Sequence, residues 1–350
     1  MREIHHVFYD FGGGLNTDKD PDHMAENELI VADNCDLGER GGLAVRKGTV
    51  RINEQPYNAH VEQVFEWPGK AMLAVFGKQV ETDWTYELHR IHPGGSAELI
   101  RAVKSPKLGY FFYADKLSFR DGEEYYWYDG IESGVVAAAT EEVEVDGEIE
   151  VRVKEDCDLT GVRKCRFAVR HPKSFRIFFA GNPDKPEALY YSESGEPNYV
   201  KAVSMMVPTT GEGRVTALAL FMDAVMVMYQ NSPWVWRGVD PDYDAIWEKL
   251  PTSEGTVAPH TVALTTNALT YLGEGGLWSL SPNIIGIAME VALGKDLISN
   301  IAEGRVEKLI RSIYLPEIAC AAFDSRNQRY LLAYCDTYGG NRNNRILVYE

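Results

Sequence analysis

Short apolar and aromatic runs, separated by turns that carry Gly, Asp or Pro, recur from about Val61 to the end of the chain. The first group reads Val61–Trp67, a Pro68-Gly69 turn, Ala71–Phe76 and then Trp84–Ile91, which is the pattern of three strands joined by two turns in one antiparallel sheet. A second has Lys116–Phe119, an Asp121-Gly122 turn, and Glu124–Tyr128 closed by Asp129-Gly130; Asp-Gly between aromatic runs is a strong short-range hairpin signal. Further groups are Lys164–Val169 with Phe175–Ala180 and Ala188–Tyr191, then Val215–Phe221 with Ala224–Tyr229 and Trp234–Trp236. The last two are Thr261–Leu264 with Ala268–Leu272 and Leu277–Leu280, and Ala319–Phe323 with Gln328–Tyr334 and Arg345–Tyr349. About five to six antiparallel sheets in succession predict an all-β fold, a β-propeller, while their uneven spacing argues against a strict repeat such as WD40.

Two stretches break this rhythm. Val143 to Val153 alternates valine or isoleucine with charge around Asp146-Gly147, which predicts a solvated hairpin protruding from a blade. Val291 to Ile313 spaces Leu293, Leu297, Ile298, Ile301, Val306, Leu309 and Ile310 among helix formers, which predicts one or two short helices on the rim. Ahead of the propeller at 57–350, residues 1–56 are rich in Gly, Asp and Asn with little periodicity and read as an extended arm. The sequence ends within a strand-like run, Ile346–Glu350, so either that run pairs with the arm and closes the ring, or more chain follows in a parent protein.

Composition narrows the function. With 350 residues and 45% hydrophobic content the chain can fill a substantial core, and disorder of the whole is excluded. A formal net charge of −17 opposes broad attachment to phosphate backbones and argues against conventional DNA binding, whereas a ring of acidic protein, which needs an oligomer, would let a polyanion pass without sticking. Cys35, Cys157, Cys165, Cys320 and Cys335 form no Cys-x-x-Cys pair and read as free thiols. The N-terminus lacks the apolar core of a signal peptide and no apolar stretch is long enough to span a bilayer, so folding in a reducing cytoplasm without membrane anchoring is expected.

Phe11-Gly12-Gly13-Gly14-Leu15-Asn16, the acidic stretch to Glu28-Leu29, Ala32–Asp36, Gly42-Leu43 and Arg46-Lys47-Gly48 resemble the start of the β-propeller tail proteins of tailed bacteriophages. These are the tail nozzle or tubular tail proteins of short-tailed phages and related prophage minor virion proteins. Arg176–Gly181 leading to Leu189–Glu193, and Leu269–Gly273 leading to Gly276–Leu280, resemble blades of the same family. The chain departs from the family in being shorter and in its unclosed end. The resemblance implies a non-enzymatic component of a virion tail, assembled in the host cytoplasm and needing no cofactor. It would form a homo-oligomeric ring that contacts an adaptor or neighbouring tail proteins and leaves a passage for DNA without binding it specifically. The residues expected to contact partners are Phe11, Gly12, Gly13, Gly14, Asn34 and Arg46 in the arm, Asp146 and Gly147 at the hairpin tip, and Asp240 and Asp242 in the loop after Arg237-Gly238.

Other chemistries were weighed on the residues alone. Asn16, Asp18, Asp20 and Asp22 alternate as calcium-loop oxygens do, but Pro21 stands where an EF-hand loop needs its sixth-position glycine, so the run reads as a solvated acidic loop. A propeller glycosidase would need two facing carboxylates; Asp121, Asp129, Glu193, Asp240, Asp242 and Asp244 are available, and nothing in the sequence pairs any two. Gly12-Gly13-Gly14 lacks the Lys-Ser/Thr and helix of a phosphate loop, so its glycines serve a turn or a close approach. Tyr125–Tyr128, Trp234, Trp236 and Trp278 read first as filling between blades, with sugar stacking, hence glycan or host-surface binding, as the rival.

Overall fold

A computed structural model describes residues 10–37, 41–48, 50–51, 53, 56–146, 148–241, 243–282 and 298–349. The fold is all-β, with six blade-type antiparallel sheets in chain order, the arrangement of a β-propeller. Among the described residues the helical segments are short: α1, Thr160–Arg163, and α2, Glu307–Arg311, besides 3-10 turns at Pro21–His23 and Pro316–Ile318. The chain divides into two compact units, Arg51–Gly255 and a second that joins the stretch up to Val50 with the stretch from Thr256 onwards.

The Arg51–Gly255 unit holds four four-stranded blades. The first is His60–Trp67, Ala71–Val80, Asp83–Ile91 and Ala97–Val103. The second is Gly109–Tyr113, Lys116–Arg120, Tyr125–Tyr128 and Ser133–Val135. The third is Phe167–Arg170, Ile177–Asn182, Lys185–Tyr191 and Met205–Met206, and the fourth Val215–Phe221, Ala224–Tyr229, Pro233–Arg237 and Ile246–Lys249. Between the second and third blades stands the two-stranded hairpin Thr140–Val145 with Glu148–Val153, where the alternating pattern placed it.

Why the middle strands are almost wholly apolar follows from burial on both faces. Neighbouring residues of a strand point to opposite sides, so Phe179 packs toward the second blade with Phe111 and Tyr125, while Phe178 packs toward the fourth with Val225, Val227 and Trp236. Both phenylalanines are fully buried, as is all of Ala224–Tyr229. The first and second blades share Trp67, Leu73, Leu88, Leu117, Phe119 and Tyr128 in the same way. His171 belongs to this interior: its Nε2 meets the Asp223 carbonyl at 2.7 Å, its Nδ1 accepts the Ser174 N–H at 3.0 Å, and its ring lies edge-on to Trp236.

In the second unit the fifth blade is Ala263–Leu264, Leu269–Gly273, Gly276–Leu280 and Ile298–Asn300, and the sixth is Cys320–Asp324, Arg329–Tyr334 and Arg345–Tyr349. Leu272, Leu277, Ile310, Tyr330 and Leu332 share one core. The arm contributes a parallel pair, Gly14–Leu15 with Glu28–Leu29, and a hairpin, Cys35–Leu37 with Leu43–Val45. It meets the sixth blade through Asp36 and Arg329 at 3.4 Å and Asp33 and Arg345 at 3.8 Å. The helical expectation for Val291–Ile313 holds in part: residues 291–297 lie outside the described set, Ile298–Asn300 is an outer strand, and α2 occupies Glu307–Arg311.

Candidate functional site

In the arm, Gly12 donates its N–H to Asp10 at 2.7 Å, Gly13 to the Asn27 carbonyl at 3.0 Å, and Gly14 to the Phe11 carbonyl at 2.9 Å. A Cβ on Gly13 would lie 2.7 Å from the Asn27 oxygen, and Gly14 has φ +69°, so close approach and a left-handed turn explain both glycines. Asn16 is 1% exposed and anchors the segment: its Nδ2 donates to Glu28 at 2.9 Å, and its Oδ1 accepts the N–H groups of Asp18 and Lys19. The Ala25 N–H, then Lys19 and Asn16, hold the Glu28 carboxyl down at about 2. Asn34, at φ +55°, accepts the Arg46 N–H at 2.9 Å, so the arm hairpin brings these two expected contact residues together.

The acidic loop is solvated at Asp20 and Asp22, which are exposed, but half-buried Asp18 has a structural task. Its carboxylate accepts the N–H groups of Glu307 and Lys308 at 3.0 and 2.9 Å and caps α2 from across the unit, while the Lys308 ammonium donates to the Asp18 carbonyl at 2.6 Å. No group of three or more potential metal ligands occurs among the described residues.

Of the carboxylates considered for glycosidase chemistry, Asp121, Asp129, Glu193 and Asp244 have other tasks. Asp121 accepts the N–H groups of Glu123, Glu124 and Lys104; Asp129 accepts those of Ile131 and Glu132, which lowers its pKa. Burial raises the Glu193 carboxyl, but Lys201 and Arg176 outweigh it and the group is held below its ordinary range. Asp244 accepts the Asp240 and Val239 N–H groups, which likewise lowers its pKa and folds the loop, and the Asp240 carbonyl in turn accepts from Tyr243, Asp244 and Ala245. Asp242 lies outside the described residues, as does Gly147. Among the aromatics, Tyr125, Tyr128, Trp234 and Trp236 are buried between blades.

What the Arg51–Gly255 unit turns outward is different. Asp146 is exposed at the hairpin tip with φ +53°, the backbone that a two-residue Asp-Gly loop requires. Ile149, Val151 and Val153 on the returning strand are 70%, 67% and 56% exposed, and Tyr243 in the loop after the fourth blade is 90% exposed. On the third blade an open concavity of about 220 Å³ is lined by Lys164, Lys185 and Lys201 with Tyr190, Val200 and Ala202. Sequence reasoning missed it, because its residues come from four separate segments and carry no motif.

No protein-family model matches this chain, and no curated protein matches it. Among solved structures it is similar to the extracellular domain of a hybrid two-component system of B. thetaiotaomicron, at 8% identity and TM-score 0.42, covering 83% of this chain and 38% of that one. It is also similar to the Pan2 WD40 domain of Neurospora crassa, at 9% identity and TM-score 0.35, covering 65% and 66%, and to PorZ, a surface component of the type-IX secretion system of Porphyromonas gingivalis, at 8% identity and TM-score 0.38, covering 82% and 38%. This chain thus spans well under half the length of the first and third. At these scores the likenesses carry no functional argument; the fold rests on the sheets themselves.

Proposed function

We propose that this chain is an architectural β-propeller of a phage or prophage tail, a subunit that self-associates around a DNA passage and docks on neighbouring tail or adaptor proteins. The observation that carries the reading is the division of labour in the Arg51–Gly255 unit: most of its large aromatics are spent between blades, while its outer surface, the protruding hairpin included, leaves apolar side chains such as Val64, Leu99, Ile149, Val151 and Tyr243 exposed. Such a surface suits rigid docking rather than a concave reaction site. The opening Phe11–Asn16 and the blade sequences named above supply the tail resemblance, and the net charge of −17 fits a wall past which DNA slides.

The test is immunogold labelling of purified particles, together with negative-stain images of the isolated chain. Label at the tail and ring-shaped particles are the expected result. A chain absent from particles that instead binds glycans on an array would overturn the reading in favour of a lectin-like propeller.

A further inference from the structure

The hairpin Thr140–Val153 is a two-stranded ribbon whose strands pair only with each other, and such a ribbon is marginal in water unless something covers it. Directly opposed residues share a face, so Glu142 stands against Val151 and Glu144 against Ile149, setting a strip of carboxylates beside a strip of exposed Ile149, Val151 and Val153. Glu141, Glu142, Glu144, Asp146, Glu148 and Glu150 face a single cation, Arg152. Two such hairpins brought together would oppose like charges, so the ribbon does not pair with its own copy.

The same chain carries the complement. From residue 159 to residue 183 there is no Asp or Glu, against Arg163, Lys164, Arg166, Arg170, Lys173 and Arg176. The third-blade concavity combines cations and apolar surface as the hairpin combines carboxylates and apolar surface. At about 220 Å³ it is smaller than the roughly 300–1,000 Å³ of a small-molecule site and suits a protruding side chain. Asp158 and Asp184 line it too, but Asp158 accepts the Thr160 N–H at 2.8 Å and Asp184 is paired with Lys164 at 2.5 Å. Lys201 is paired with Glu193 at 2.7 Å, and Lys185 meets the Met205 sulfur at 3.8 Å. Exposed pairs of this kind contribute little, so the lysines can exchange their partners for a denser row of carboxylates at small cost.

We infer that the hairpin of one copy seats on the lysine-bearing concavity of the third blade of a second copy, Glu142 and Glu144 to Lys164, Lys185 and Lys201, and the strip of Ile149, Val151 and Val153 to the exposed Ala202 and the small faces that Tyr190 and Val200 leave open. This rests on the self-association proposed above and names its contact.

The test is solution mass by light scattering, for the wild type, a hairpin variant on the contact face (Glu142→Lys, Glu144→Lys) and a blade variant (Lys164→Glu, Lys185→Glu, Lys201→Glu). The wild type should associate at about 0.1 M salt and weaken toward about 1 M, as the screening length falls from about 10 Å to about 3 Å. Each variant alone should associate at least tenfold more weakly, and an equimolar mixture of the two should recover, since opposite charges then meet again. Ile149→Ser with Val151→Ser, at positions that touch no core, should weaken association as well and keeps the test open if the blade variant does not fold. A wild type that is monomeric at both salts, or an oligomer that all variants leave intact, overturns the contact; in the latter case the ring reading stands on some other surface. A dimer that the variants dissolve supports the contact and removes the ring.

Discussion

Asp18 shows how one carboxylate can tie distant segments of a unit. Removing it by Asp18→Ala leaves two N–H groups at the start of α2 without their acceptor and should lower unfolding free energy by about 1 kcal/mol, the usual cost of a lost N-cap, measurable as a shift in the urea midpoint. Gly13→Ala should disturb the same region, because the added carbon would sit 2.7 Å from a backbone oxygen that cannot swing away. His171 gives a pH dependence. Burial lowers its pKa, against the opposing pull of the Asp223 carbonyl, so the folded state keeps it neutral while the unfolded chain protonates near about 6.5. Its contribution is therefore fully present above about pH 6.5 and is lost as pH falls from there toward its folded value. In His171→Gln the fall in urea midpoint between pH 7.5 and about 5 should be shallower than in wild type; an equal slope would assign the acid sensitivity elsewhere. The need for glycine at positions 12–14 could be read from the sequence, since a triplet without phosphate-loop neighbours leaves turning and close packing. The roles of Asn16 and Asp18 could not, because their partners Gly304, Glu307 and Lys308 lie nearly 290 positions away and no local pattern announces a cap supplied from so far.

Among the elements, middle strands were legible and outer strands were not. Residues 73–76 and 177–180 and the strand Ala224–Tyr229 are buried on both faces and so appear as unbroken apolar runs, whereas Ala97–Val103, Ser133–Val135, Met205–Met206 and Ile246–Lys249 are fourth strands with one side in water, short or mixed in pattern. Their ladder comes from the preceding strand, which fixes them without help from their own side chains. Phe175, expected inside a strand, has φ +53° and forms the turn before Ile177. The hairpin Thr140–Val153 was legible for the opposite reason: alternation with charge on both strands suits a ribbon that neither face buries in the core of its own chain. Replacing Glu141–Arg152 by a short glycine-rich turn should thus shift the thermal midpoint of the monomer by less than about 2 °C, under roughly 1 kcal/mol at this size, while a larger loss would mean the ribbon braces a blade.

For the molecule as a whole, charge and core act together. With a net charge of −17 and a pI near 5.0, the purified protein should pass a heparin or duplex-DNA column unretained at about 0.1 M salt, and retention that needs high salt to reverse would sink the sliding-wall picture. Within the Arg51–Gly255 unit, Phe178 and Phe179 divide one strand between two cores, and the first two blades share theirs through Trp67 and Tyr128. A blade here is accordingly not a module that evolution or an engineer can drop or graft alone. Any cut between blades strips the lid from an aromatic layer on each side of the break, so a truncated gene product would be expected to clump rather than fold, and changes in blade number must arrive with a newly matched pair of faces.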